Sequence, residues 1–153
     1  MHTKVFELRV DASPEQVWEF HQSEEALNRL TPQKVTSLNH AKVEENALQV
    51  FRIWKFGIPM VWKARISQVT PPYGFTDQAE KSPFKFWRHR HDFIPDGEGT
   101  LIRETLAYIL PFGKLGKAVH KLVIEKDLDK LFAYRKEAML REFGGAEGKK
   151  ARK

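Results

Sequence analysis

The chain has no cysteine, so disulfides and thiol chemistry are excluded. It has no apolar run of about eighteen residues, so no transmembrane helix is expected. The opening Met1-His2-Thr3-Lys4-Val5 lacks the apolar stretch of a signal peptide and leads straight into an alternating pattern. A cytoplasmic location is therefore the expectation. There is no glycine-rich phosphate loop, no internal repeat and no interdomain linker. Charge of one sign is in only modest excess, net +6, and part of it sits in Lys149, Lys150, Arg152 and Lys153. A mildly basic surface accounts for this, and nucleic-acid binding is not expected.

What the chain does have suits one domain with a sizeable core. Its 153 residues include eleven Phe and four Trp, enough to line a core or a pocket. Phe6, Leu8 and Val10 alternate with charged residues and predict a first strand. Ser13, Pro14 and Gln16 then form a helix start, with a capping serine, proline at the first helical position and a box-closing glutamine. A second short helix begins near Ser23 and ends at Thr31-Pro32. Six strand-like segments follow, near 35–40, 48–55, 60–69, 74–80, 84–93 and 100–110. Short breaks rich in Pro, Gly and Asn separate them, which predicts an antiparallel meander. A long helix is expected over about 114–143, and residues 144–153 read as a basic, disordered tail. A curved sheet cannot be filled everywhere by one helix, so the gap between them is the place for a cavity.

The most informative stretch is Trp87-Arg88-His89-Arg90-His91-Asp92-Phe93. In a strand, alternate side chains share a face. The charged set prefers water, which turns Trp87, His89, His91 and Phe93 inward. Buried polar groups need partners, so two inward histidines need an explanation.

Several phrases resemble the START-like (SRPBCC, helix-grip) superfamily, in the branch of polyketide cyclase/dehydrase-like and coenzyme Q-binding-like proteins. Asp11-Ala12-Ser13-Pro14-Glu15-Gln16-Val17-Trp18 is similar to that superfamily's opening after the first strand. Leu27-Asn28-Arg29-Leu30-Thr31-Pro32 is similar to the helix end that follows. Trp62-Lys63-Ala64-Arg65-Ile66, Phe75-Thr76-Asp77-Gln78, Ser82-Pro83-Phe84 and the Trp87–Phe93 alternation resemble one bacterial branch. That branch commonly has Gly-Pro-Phe at Ser82-Pro83-Phe84, and often Asp at Glu104. The resemblance covers nearly the whole chain, to about Phe143. It implies an α+β helix-grip fold: a curved antiparallel sheet, two short helices after the first strand, and a long C-terminal helix across the sheet. Residues 1–143 would form the START-like ligand-binding domain. Members bind lipids, sterols, polyketides, quinones or hormones, and some are enzymes, so fold alone does not fix function.

Combining strand parities gives an inner cluster of Asp77, His89, His91 and Glu104, walled by Trp62, Phe75, Trp87, Phe93 and Tyr108. In strand 48–55 the inner set is either Arg52/Trp54 or Phe51/Ile53. Three readings compete for the cluster. A carboxylate–histidine network that satisfies itself and a ligand cavity with a few convergent polar groups weigh about equally. A metal site on the His-x-His pair stands behind both; no metal and no cofactor are assigned. An enzymatic version would use His89 or His91 with Glu104 or Asp77 as a general base, and Tyr108 as a donor to an enolate.

The expected function is binding of a hydrophobic small molecule that is lipid-, polyketide- or quinone-like. The alternatives are a cyclase/dehydratase-type enzyme and a lipid or quinone chaperone for a membrane or protein partner. No stable membrane insertion is expected, and the protein partner is left open. His21, His40 and His120 read as surface residues, Trp18 as packing, and the lysines of the last helix as its wet face. Gly113 and Gly116 leave a hinge and close packing equally open.

Overall fold

The computed structural model describes residues 1–55, 57–111 and 123–145. The elements run β1 (His2–Val10), α1 (Pro14–Gln22), α2 (Glu24–Leu30), β2 (Lys34–Ser37), β3 (Leu48–Lys55), β4 (Ile58–Thr70), β5 (Gly74–Lys81), β6 (Phe86–Asp96), β7 (Gly99–Ile109) and α3 (Glu125–Phe143). The strands form one antiparallel sheet in the order β1-β7-β6-β5-β4-β3-β2. The meander of the six later strands follows from their short connections, and β1 adds to its far edge beside β7.

Local sequence explains the element ends. The amide of Gln16 donates to Ser13 Oγ at 3.2 Å, and the Ser13 amide donates to Gln16 Oε1 at 2.9 Å. That is the expected capping box of α1. Ser23 closes α1 and caps α2 through the Ala26 amide. In β4, two register shifts, at Lys63/Ala64 and between Ser67 and Thr70, interrupt the ladder with β5. Gln68, in a left-handed conformation, sits in the second. Such bulges bend a strand and strengthen its twist, so they help the sheet wrap round α3.

Alternation decides what is buried. Along β7, Ile102, Glu104, Leu106 and Tyr108 point inward, and along β6 so do Trp87, His89, His91 and Phe93. In β3 the inner set is Phe51 and Ile53, while Arg52 and Trp54 are exposed. The open choice there is thus settled by the pleat. α3 covers this inner face along its length. Leu128 and Phe132 pack with Trp87, Leu106, Tyr108 and Leu110, while Ala138, Met139 and Leu140 pack with Leu8, Val10, Val17 and Ile102. Each large apolar side chain so buried contributes about 1.5–3 kcal/mol.

Ion pairs tie α3 to its neighbours. Lys4 of β1 reaches Asp129 at 2.8 Å, and Arg29 of α2 pairs with Glu142. At the helix end, the Asp11 amide donates to the Gly144 carbonyl at 2.9 Å. The first part of the expected long helix, with Gly113, Gly116 and His120, lies outside the described residues. So does most of the expected basic tail, from residue 146. Among the described residues, no helix is long and apolar enough to cross a membrane.

Candidate functional site

β5, β6 and β7 bring four polar side chains to one place on the inner face. Asp77 pairs with His89 across β5 and β6, and His91 pairs with Glu104 across β6 and β7. Gly74 permits this close approach, because a Cβ there would lie 2.4 Å from the His91 carbonyl oxygen. The side chains then reach diagonally rather than straight across, as long groups on a pleated face can. His91 Nε2–H donates to Asp77 Oδ2 at 2.7 Å. His89 Nε2 lies 2.6 Å from Glu104 Oε2, a contact outside aligned hydrogen-bond geometry. His89 Nδ1 lies 4.0 Å from Asp77 Oδ2.

Two further residues complete the cluster. Arg135 of α3 donates through Nε to Glu104 Oε2 at 3.0 Å, and its Nη2 is also 3.0 Å from that oxygen. His21 of α1 turns its ring toward Phe93, at 4.7 Å between centroids, and toward His91, at 6.1 Å. Its Nδ1 lies 2.7 Å from the Val17 carbonyl oxygen. The sequence-based expectation of a surface His21 is therefore corrected: one turn after the buried Val17, it shares that residue's inward face. The same helical spacing was a usable signal for it. Arg135 also carried a signal. It stands three residues after Phe132 and four before Met139, inside the apolar stripe of α3. His40 is exposed beside Glu24, as expected, and Trp18 packs edge-on against Phe75 and Phe93.

The electrostatics follow from burial and pairing. Burial works to raise the Glu104 carboxyl, but the Arg135 guanidinium and the two histidines hold it well below its ordinary value. Burial likewise opposes ionisation of Asp77, and the His91 hydrogen bond with its neighbours brings it below the usual aspartate value. The imidazoles go the other way. Burial lowers His91 to about 4, helped by His89 and resisted by Asp77. Burial lowers His21 to about 3, helped by His91. Both rings are thus neutral at pH 7. His91 Nδ1 and His21 Nε2 are buried without a hydrogen-bond partner.

The expected wall residues fall into two groups. Phe75 stacks on His91 with centroids 4.3 Å apart, and Phe93 adjoins His21, so both border the polar cluster. Trp62, Trp87 and Tyr108 lie farther along the inner face, packed on one another and on Phe84. The ring of Phe132, 5.6 Å from His89, joins the two groups. A surface hollow of about 250 Å³ lies elsewhere, lined by Glu24, Leu27, Asn28, Lys34, Val35, Thr36, Ser37 and His40.

A seven-stranded curved antiparallel sheet with two short helices after its first strand and a C-terminal helix across it is the START-like, helix-grip architecture. Residues 10–133 match the family described as polyketide cyclase / dehydrase and lipid transport, and the chain belongs to that family. No curated protein matches in sequence. Solved structures are similar in fold at low identity. CV1439 from Chromobacterium violaceum has a TM-score of 0.74 at 11% identity, with 95% of this chain and 99% of that chain covered. A START superfamily protein from Mycobacterium smegmatis has a TM-score of 0.68 at 17% identity, with 92% and 99% covered. A Thalictrum norcoclaurine synthase point mutant, solved with a transition-state analogue, has a TM-score of 0.62 at 17% identity, with 92% and 96% covered.

Proposed function

We propose that this protein binds a hydrophobic small molecule between the sheet and α3, with the polar cluster fixing the molecule's polar end. The observation that carries this reading is the pair of buried nitrogens, His91 Nδ1 and His21 Nε2, unpartnered beside Phe75, Phe93 and Trp18. Both nitrogens are acceptors in the neutral rings, and leaving one unpaired costs about 1–3 kcal/mol, which a donating ligand hydroxyl would offset. A few convergent polar groups in an aromatic setting are typical of small-molecule sites. Membership of a family that includes lipid transport supports an apolar ligand class.

Native mass spectrometry of freshly purified protein tests this. The expected result is an organic adduct that disappears on denaturation and is weakened in the His21→Phe variant. A clean apoprotein mass that stays unchanged after incubation with long-chain fatty acids, a quinone and an aromatic polyketide would overturn it.

A cyclase/dehydratase-type enzyme is the second reading. It is favoured by the Asp77–His91 hydrogen bond, which fixes one imidazole in orientation. A chaperone role toward a membrane or protein partner would use the same proposed site. Turnover of a ligand found by mass spectrometry, lost in Asp77→Asn while binding persists, separates enzyme from carrier.

A further inference from the structure

We propose that Asp77, His89 and His91 form a binding site for a divalent transition metal of the zinc class, supported from behind by Glu104 and Arg135. One ligand atom from each of the three residues lies within 4.8 Å of the others. His91 Nε2 is already 2.7 Å from Asp77 Oδ2, and His89 Nδ1 is 4.0 Å from it. Zinc bound at about 2.0–2.2 Å to each of three such atoms requires only small side-chain movements from these positions. As the metal enters, the single proton of the neutral His91 ring would move from Nε2 to Nδ1, which leaves Nε2 free to coordinate.

The surroundings fit a metal better than they fit a self-satisfied network. Metal-bound imidazoles normally give their second ring N–H to a carboxylate, which fixes ring orientation. If His89 binds through Nδ1, its Nε2 is the atom lying 2.6 Å from Glu104. Glu104 is in turn held by Arg135. The residues of such a chain, metal–His89–Glu104–Arg135, already stand side by side on β6, β7 and α3, and a turn of the His89 ring would align its Nε2–H with Glu104. The charge count points the same way. Among the described residues of the cluster, two carboxylates meet one guanidinium, so Asp77 has only imidazoles as close partners. Removing an anion from water is costly without a countercharge, and a dication between Asp77 and the rings supplies one.

Two imidazoles and one carboxylate select the metal class. Imidazole favours zinc, iron, cobalt or nickel over magnesium and calcium, which prefer all-oxygen shells. Three protein ligands leave a fourth position open, as in sites where a metal holds water or a substrate oxygen. Asp77, with its side chain 18% exposed, is the most accessible of the three and marks the route in.

The test is a metal titration of the tag-free full-length chain, stripped with chelator and free of added apolar ligand. One zinc per chain is expected. Cobalt(II) should give the visible absorption of a low-coordinate site, and magnesium and calcium should not compete. Histidine-detected NMR of the wild-type protein should move the His89 and His91 ring signals and leave the His40 signal in place. Asp77→Asn and His91→Gln should each weaken zinc binding by at least about tenfold, and Glu104→Gln by about 10- to 100-fold. His40→Ala should change nothing. Absence of stoichiometric zinc in the wild-type chain would overturn the proposal. So would zinc that shifts other histidines, or that binds unchanged in folded Asp77→Asn and His91→Gln. The titration uses no apolar ligand, so its failure leaves the ligand-binding reading standing. The mass-spectrometric test, run with chelator present, can fail without touching the metal site.

Discussion

At one end of the inner face, Trp62, Phe84, Trp87 and Tyr108 pack ring against ring, with centroids 4.7 to 6.5 Å apart. At the other end, the same strands set Asp77, His89, His91 and Glu104 against Arg135 and His21. Backbone, pleat and covering helix are shared; the side chains differ. The aromatic end is stabilised by area removed from water, which is non-directional and forgiving of small changes. The polar end is stabilised only while every charged group keeps its partner. A sheet face needing only stability could have been aromatic throughout. The polar end is therefore where the ligand-binding proposal can be tested.

The largest expected break in this comparison comes from Arg135→Ala. Among the described residues, it leaves Glu104, 3% exposed, without a lysine or arginine against it. Removing one partner of a buried ion pair costs about 3–5 kcal/mol. Urea unfolding should show a loss of that size. The double exchange Arg135→Met with Glu104→Gln should lose less than Arg135→Ala alone, because no stranded carboxylate remains. A loss of under about 1 kcal/mol for Arg135→Ala would mean that Glu104 is hydrated, since exposed pairs contribute that little.

Acid comes next, acting on the polar end and not on the aromatic one. His21 and His91 have ordinary values near 6.5 when unfolded and are lowered to about 3 and about 4 in the fold. The unfolded chain therefore binds more protons between those values, and stability falls as pH falls. The histidine contribution is fully present above about pH 6.5 and is lost progressively toward pH 4 and below. Asp77 and Glu104 are also lowered, so the loss they cause has the same sign and begins lower, below the ordinary carboxylate range. In chelator-treated protein, the melting temperature should begin to drop below about pH 6.5 and steepen below about pH 4.5. With His21→Phe the early part of the drop should shrink. A melting temperature flat from pH 7 to pH 5 would show that the rings are not buried as neutral groups.

How much of this the sequence made legible depends on the range of the interaction. Period-two alternation fixed the inner faces of β6 and β7, and turn residues fixed the hairpin registers that place Asp77 by His89 and His91 by Glu104. Ser13, Pro14 and Gln16 marked the start of α1, because capping is local. Strand β3 was ambiguous, since both Arg52/Trp54 and Phe51/Ile53 were defensible inner sets. Pairing decided it, because Ile53 lies opposite the buried Val35 and Phe51 opposite Trp62. The diagonal pairing of side chains was not legible, because register places Cα atoms and says nothing about rotamers. His21 and Arg135 enter from helices far away in sequence, and no strand pattern can reveal them. Their only trace was helical spacing, one turn from Val17 and inside the stripe of α3.

The finest test exchanges neighbours on the two sides of the boundary. His91→Ala removes the donor to Asp77 and leaves that carboxylate with His89 at 4.0 Å as its nearest remaining partner. A stranded buried acceptor costs about 1–3 kcal/mol, and the cavity left under Phe75 adds to it. Leu106→Met alters a fully buried residue paired across the strands with His89, yet touches only the apolar side of that contact. Volume-conserving swaps of this kind cost under about 1.5 kcal/mol. Denaturant midpoints measured at pH 7 should therefore rank wild type, Leu106→Met, then His91→Ala. His91→Phe refines the reading, because it refills the cavity and restores no hydrogen bond. If it melts with His91→Ala, the loss belongs to Asp77; if it melts with the wild type, the loss was packing, and the polar end behaves like the aromatic one.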